Sequence, residues 1–170
     1  MTRLTDTAGS TRVPTAQAFA QFEQTLGAQG PRAALAYLAS LTHYRFIGLF
    51  RFRDGMANAA IHWDRENPDV TCIDAVPDSA TYCCFVRDTK GVFTTVDALH
   101  DPRLTEHVAR EAVRAYCGVP VMSPEGVLLA TLCHYDVEPR NALELDLPLL
   151  LQAASALAHG DHVPPYPHAG

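Results

Sequence analysis

Between Arg53 and Met56 stands Asp54-Gly55, a dipeptide suited to the positive φ angles of a two-residue hairpin turn. The runs on either side alternate. Tyr44, Phe46, Gly48, Phe50 and Phe52 fall on one side of an extended segment from Tyr44 to Arg53, and Arg45, Ile47, Leu49 and Arg51 fall on the other. Met56 to Trp63 is therefore expected to return antiparallel beside it. A fold built on this chain contains an antiparallel sheet.

Helices precede the hairpin. Ala18, Phe19, Phe22 and Leu26 recur at helical spacing after Pro14-Thr15, and Gly27 to Gly30 is expected to end that helix. Pro31 suits the first turn of a second helix, where its missing N–H costs nothing, with Ala34, Tyr37, Leu38 and Leu41 as its stripe. After the hairpin, Asp64 to Asp69 reads as a polar loop and Val70 to Ile73 as a short third strand. Asp78 or Ser79 is expected to cap a helix through Tyr82, Phe85 and Val86 that stops at Lys90-Gly91. Val92 to Val96 is a β-branched and aromatic strand, His100-Asp101-Pro102 a turn, and Thr105 to Arg110 a short exposed helix.

Tyr116 to Met122 and Val127 to Tyr135 form a second hairpin, the latter so continuously apolar that it must be covered on both faces. Asp146 can cap a last helix with Leu147, Leu150, Leu151, Ala154 and Leu157 as its stripe and Gly160 as its stop. The order of elements gives an α+β class, an antiparallel sheet with helices grouped against it. The expected organisation is a flexible segment 1–13, one domain over 14–160, and a flexible proline-rich tail over 161–170.

Composition sets limits on partners. Apolar residues make up 48% of the chain and charged residues 19%, enough to bury a core. The formal charge of -6, with no run of Lys or Arg, argues against nucleic acid and anionic lipid, which need a positive footprint. No stretch approaches a membrane span and the amino end lacks the apolar core of a signal peptide, so a cytoplasmic location is expected. The five cysteines, Cys72, Cys83, Cys84, Cys117 and Cys133, are expected to be reduced and to fill the core as small hydrophobes.

Three stretches then line up in order: Thr94-Thr95-Val96-Asp97-Ala98-Leu99 leading to Asp101-Pro102-Arg103, Tyr116-Cys117-Gly118-Val119-Pro120-Val121, and Gly126 to Asp136. Together they resemble a GAF domain from about Tyr44 to Leu157, with Ala130 where Gly is common in that family. The resemblance implies a central antiparallel sheet of about six strands, of profilin- and PAS-like architecture. Helices would pack on one face, with a ligand pocket on the other under loops and short helices. It also implies a sensor or signalling module, a homodimer through terminal helices, and an output that passes through a downstream partner or through ligand sequestration.

Catalytic readings find little to stand on. Some free-standing GAF proteins reduce free methionine sulfoxide with cysteine. The nucleophile of that subgroup precedes the Asp that matches Asp97, and here that slot is Val96. Bilin attachment to Cys83 or Cys84 lacks the Cys-His pairing and the acidic-Ile-Pro stretch of phytochrome-like relatives. Neighbouring helical residues diverge by about 100°, so Cys83 and Cys84 are expected to face different surroundings. Cys133 and His134 cannot chelate one ion, because consecutive strand residues point to opposite faces. Hydrolase elbows and glycine-rich phosphate loops are absent, and His100-Asp101 reads as a turn and not as part of a triad.

The expected function is thus non-catalytic binding of a small molecule of unspecified identity, or a redox response, with no cofactor or metal assigned. Candidate ligand-binding residues are Trp63, Tyr82, Phe85, Tyr116 and Thr131, aromatic and polar positions that could converge under the GAF arrangement.

Overall fold

The computed structural model describes residues 12–167; the remainder of the expected flexible segment 1–13 and of the tail 161–170 lies outside the described residues. The chain begins with helix α1, Thr15–Gln29, and helix α2, Pro31–Ser40. Gly27 lies inside α1 and does not end it. The break comes at Gly30, whose φ of 91° suits a residue without a Cβ, and Pro31 then opens α2.

Strand β1, Phe46–Arg53, and strand β2, Met56–Asp64, pair antiparallel through the Asp54-Gly55 turn, where both φ angles are positive at 53° and 76°. The pairing shifts register between Leu49 and Phe50. The expected strand at Val70–Ile73 does not form. The outer edge of β2 is instead paired over two residues by β3, Val76–Pro77, and Val70 to Ile73 is an irregular loop whose last residue, Ile73, is half-buried.

Helix α3, Cys83–Thr89, is shorter than expected. Asp78–Ala80 forms a separate helical turn, neither Asp78 nor Ser79 caps α3, and Lys90 rather than Gly91 takes the left-handed C-terminal position with φ of 52°. After β4, Phe93–Thr95, the segment expected to hold a helix at Thr105 to Arg110 is a series of turns. Its shape is set by Leu104 and Ala109, which turn inward and are buried. Strands β5, Ala115–Met122, and β6, Leu128–Asp136, then pair along their length. Helix α4, Leu147–His159, closes the domain, with Asp146 accepting from the Leu149 N–H at 3.0 Å.

The six strands run antiparallel in the order β3-β2-β1-β6-β5-β4. This puts β1 and β6 in the centre, consistent with the apolar run of β6, and each face of the sheet carries its own core. Helices α1, α2 and α4 cover one face with Phe22, Leu35, Leu38, Leu150 and Leu157 against Ile47, Leu49, Val119 and Leu132. Helix α3 and the turns around Leu104 and Ala109 cover the other, against Phe50, Tyr116 and Cys133. The described part of the tail lies against β1: Arg51 donates to the Pro164 carbonyl at 2.8 Å and the Arg53 guanidinium sits 4.5 Å from the Tyr166 ring centroid. Among the described residues no helix is long and apolar enough to cross a membrane.

Candidate ligand pocket

Alternation along β6 assigns its side chains to the two faces. Ala130, Leu132 and His134 point to the α1/α2/α4 side, and Cys133 and Tyr135 to the α3 side. On the α3 side they line a cavity of about 220 Å³ together with Phe50 of β1, Tyr116 of β5, and Tyr82 and Cys83 at the start of α3. Ala109 and Val113 come from the turns after β4, Ile73 and Asp74 from the loop before β3, and Val76 from β3 itself. The rim is exposed at Asp74 and Val76, and the floor at Tyr116 and Cys133 is buried. Among the described residues no Arg or Lys lines the cavity, and Asp74 is the one charged residue that does.

The acidic residues of the recognisable stretches hold the cover of this pocket in place. Asp97 accepts from the Leu99 N–H at 3.2 Å and from Arg114 Nε at 2.9 Å, tying the turn after β4 to the start of β5. Asp101 accepts from the Arg103 N–H at 3.0 Å, and Arg103 also donates to the Thr94 carbonyl at 2.7 Å. The Arg103 guanidinium holds the Asp101 carboxyl down at about 2. His100 lies 2.8 Å from Asp97 and is exposed, away from the cavity lining.

Polar groups in the pocket are few and buried. The Tyr116 hydroxyl donates to Cys83 Sγ at 3.2 Å, and Cys83 Sγ is 4.0 Å from Cys133 Sγ. The Tyr135 hydroxyl meets His62 Nε2 at 2.5 Å. Burial pushes the Tyr116 and Tyr135 phenols well above their ordinary values, so both stay neutral. Burial also pushes Cys133 well up. At Cys83 burial acts in the same direction but is outweighed by hydrogen bonds from Cys133 and Tyr116, which lower it.

Of the residues singled out from sequence, Tyr82 and Tyr116 meet in the cavity, their rings edge to face with centroids 5.6 Å apart. Phe85 packs behind them against Phe93 at 4.6 Å and does not line the cavity. Thr131 shares the face of Cys133 and is fully buried, its hydroxyl without a partner among the described residues. Trp63 does not converge with the others. It packs against the core on the helical face, beneath the Arg32 guanidinium at 4.8 Å, because past the bulge in β2 the alternation turns Ile61 and Trp63 that way. Cys133 and Tyr135 were reachable from sequence, since they share the parity of Thr131 on β6. Cys83 was weighed from sequence as a core thiol and as a bilin attachment point, and Ile73, Asp74 and Val76 carry no local signal.

Four of the five cysteines are buried, as small core hydrophobes would be, but Cys72 is exposed because its segment is a surface loop and not a strand. All five are unbridged. Cys84 turns away from Cys83 and donates to the Thr81 carbonyl at 3.0 Å. Among the described residues no three of His, Cys, Asp and Glu gather into a metal-binding group.

The sheet order, the three helices on one face and the pocket on the other agree with the match of residues 24–159 to the GAF domain family. The chain is a member of that family. A cyclic di-GMP phosphodiesterase of Pseudomonas aeruginosa is 35% identical over 82 residues, which amounts to 46% of this chain and 14% of that protein. The chain thus spans a small part of the length of that relative. A free methionine-R-sulfoxide reductase from Neisseria meningitidis superposes with a TM-score of 0.66 at 16% identity, over 85% of this chain and 86% of that one. A GAF sensor protein from Burkholderia vietnamiensis gives 0.65 at 15% identity, over 89% and 96%. The chromophore-binding domain of a Stigmatella aurantiaca bacteriophytochrome gives 0.65 at 9% identity, over 91% and 62%. At these identities the likeness is one of GAF fold.

Proposed function

We propose that this GAF domain is a non-catalytic sensor that binds a small, neutral and largely apolar molecule in the cavity between α3 and the sheet. The observation that carries the reading is the cavity itself: about 220 Å³, walled by Phe50, Tyr82, Tyr116 and Tyr135, with a few hydroxyl and thiol groups to orient a ligand. That space exceeds the roughly 150 Å³ that accepts benzene in an engineered cavity and falls below the roughly 300 Å³ at which drug-sized pockets begin. A monocyclic compound fits. A linear tetrapyrrole or a cyclic dinucleotide is several times larger, and the phosphates of the latter would find only Asp74 as a charged partner.

Reduction of free methionine sulfoxide has less support. Its zwitterionic substrate needs a partner for its carboxylate, and the cavity offers no cation. Val96, in the slot where the resemblance puts a nucleophilic cysteine, is 47% exposed and outside the lining. The same proposal includes a homodimer through α1 and α4, where Leu151 is exposed on α4, with output to a downstream protein.

Native mass spectrometry of the freshly purified protein, followed by thermal shift with toluene, phenol and indole, tests the reading. Stabilisation by these compounds is expected, growing with the logarithm of concentration above Kd. Binding of cyclic di-GMP with no response to the ring compounds would overturn it, as would steady turnover of free methionine sulfoxide.

A further inference from the structure

The ligand cavity has two thiols in its wall, one from α3 and one from β6, and their placement is more specific than core filling requires. Cys83 Sγ and Cys133 Sγ are 4.0 Å apart, about van der Waals contact for sulfur, and both residues line the cavity. The Tyr116 hydroxyl donates to Cys83 Sγ at 3.2 Å, an arrangement that favours the thiolate on that sulfur. The remaining cysteines are directed elsewhere: Cys84 to the Thr81 carbonyl, Cys117 to Thr94 on the helical side, and Cys72 to solvent. Cys83 thus has one thiol partner within reach, and both face a small apolar pocket.

We propose that Cys83 and Cys133 form a site that reduces small, largely apolar organic hydroperoxides and records the event as a disulfide between α3 and β6. This rests on the reading of the cavity as a site for small apolar molecules and goes beyond it by giving the site a redox reaction of its own. The Cys83 thiolate attacks the terminal oxygen of ROOH: an S–O bond forms, the O–O bond breaks, and the alkoxide leaves as alcohol after taking up the proton that Cys83 released. Cys133 then attacks the sulfur of the sulfenic acid. The S–S bond forms, the S–O bond breaks, and the oxygen leaves as water with the Cys133 proton. Two thiols and ROOH give a disulfide, ROH and water, and an added dithiol resets the site.

Closing the sulfurs from 4.0 Å to a bond of about 2.05 Å draws α3 toward β6 and reshapes the wall they share. Hydroperoxide exposure and ligand affinity are coupled by that movement.

The test uses the full chain carrying Cys72→Ser, which removes the exposed thiol, treated with cumene hydroperoxide, tert-butyl hydroperoxide or hydrogen peroxide. Intact mass and a non-reducing peptide map are followed with time. The expected product is two hydrogens lighter, cross-linked Cys83 to Cys133, and formed at least about tenfold faster with cumene hydroperoxide than with hydrogen peroxide, since apolar contacts in a fitted pocket give selectivity of that order. Adding Cys133→Ser is expected to stall the reaction at a sulfenic acid on Cys83 that dimedone traps, with Cys133→Ala in its place if the serine is not tolerated. Equal rates from all three peroxides, or oxidation without the cross-link, would overturn the proposal. Toluene binding to the reduced protein separates the two readings: binding without the cross-link overturns this inference alone, and no binding with equal peroxide rates overturns both.

Discussion

The Tyr135 hydroxyl sits 2.5 Å from Nε2 of His62, joining a cavity-lining ring on β6 to a buried imidazole on β2 across the intervening strand. Phe46 of β1 fills the space between them, its ring 4.7 Å from that of Tyr135 and 5.6 Å from that of His62. His62 Nδ1 has no partner among the described residues, so this one contact carries the polar satisfaction of the imidazole. Tyr135→Phe keeps the packing and removes the contact. It is expected to lower stability by about 1–3 kcal/mol, the cost of leaving a buried polar group unpaired. Urea denaturation measures it, and an unchanged midpoint would show that the contact contributes nothing net.

Acid is expected to weaken the protein in two steps that have different owners. Burial first, and then Arg65, pushes His134 down from 6.5 to about 4. Above pH 6.5 the group is neutral folded and unfolded, and nothing is lost. Between about pH 6.5 and about 4 the unfolded chain takes a proton that the folded chain refuses, so stability falls as pH falls. His62, also lowered mainly by burial, adds in the same direction. Asp64 acts further down: its hydrogen bonds from Arg45 hold it at about 2, below the ordinary 3.8, so its contribution is present above pH 3.8 and is lost on approach to pH 2. His134→Gln is expected to remove roughly 2–3 kcal/mol of the pH dependence between pH 7 and 4.5 while leaving the loss below pH 4. Urea midpoints at pH 7, 5 and 4 would show it, and a slope unchanged by the substitution would contradict the assignment.

Most of the sheet could be read from local pattern because local physics decides it. The Asp54-Gly55 turn, the alternation of β1 and the two-sided apolar run of β6 each have one economical solution. The cap over the pocket could not be read in the same way. Val70 to Ile73 has strand composition but stays an irregular loop, and Thr105 to Arg110 has helix-like spacing that the inward turn of Leu104 and Ala109 overrides. Within the site, Tyr82 and Tyr116 were legible as aromatics on the right elements. The approach of Cys83 to Cys133 was not, because it joins residues 50 positions apart through tertiary packing alone.

Gly118 illustrates how a family-like residue supports the pocket. A glycine within a strand lets another group approach closely. The structure shows the near neighbour to be the ring of Tyr116, whose hydroxyl would lie 2.2 Å from a Cβ at Gly118. Gly118→Ala must therefore push the Tyr116 ring and hydroxyl off their place beside Cys83. The expected result is destabilisation of about 1–3 kcal/mol, as for overpacking elsewhere, together with weaker binding of toluene. Differential scanning fluorimetry with and without toluene reads both, and full retention of both values would refute the close approach.

Trp63 and Tyr82 are comparable in size and lie on opposite faces of the sheet, which makes them a paired test of where the ligand sits. Tyr82 forms the pocket wall, with its hydroxyl donating to the Val113 carbonyl at 2.8 Å, and Trp63 packs with Arg32 on the helical face. Both substitutions to Leu shorten a packed aromatic, so both are expected to lower the melting temperature of the free protein. Their effects on ligand affinity should diverge. Tyr82→Leu is expected to raise the toluene Kd by about tenfold through lost apolar contact, and Trp63→Leu to leave it within about twofold. Isothermal titration below the melting point of each variant separates affinity from stability. Equal weakening in the two variants would place the ligand elsewhere, or show that the faces of the sheet are coupled through the strands between them.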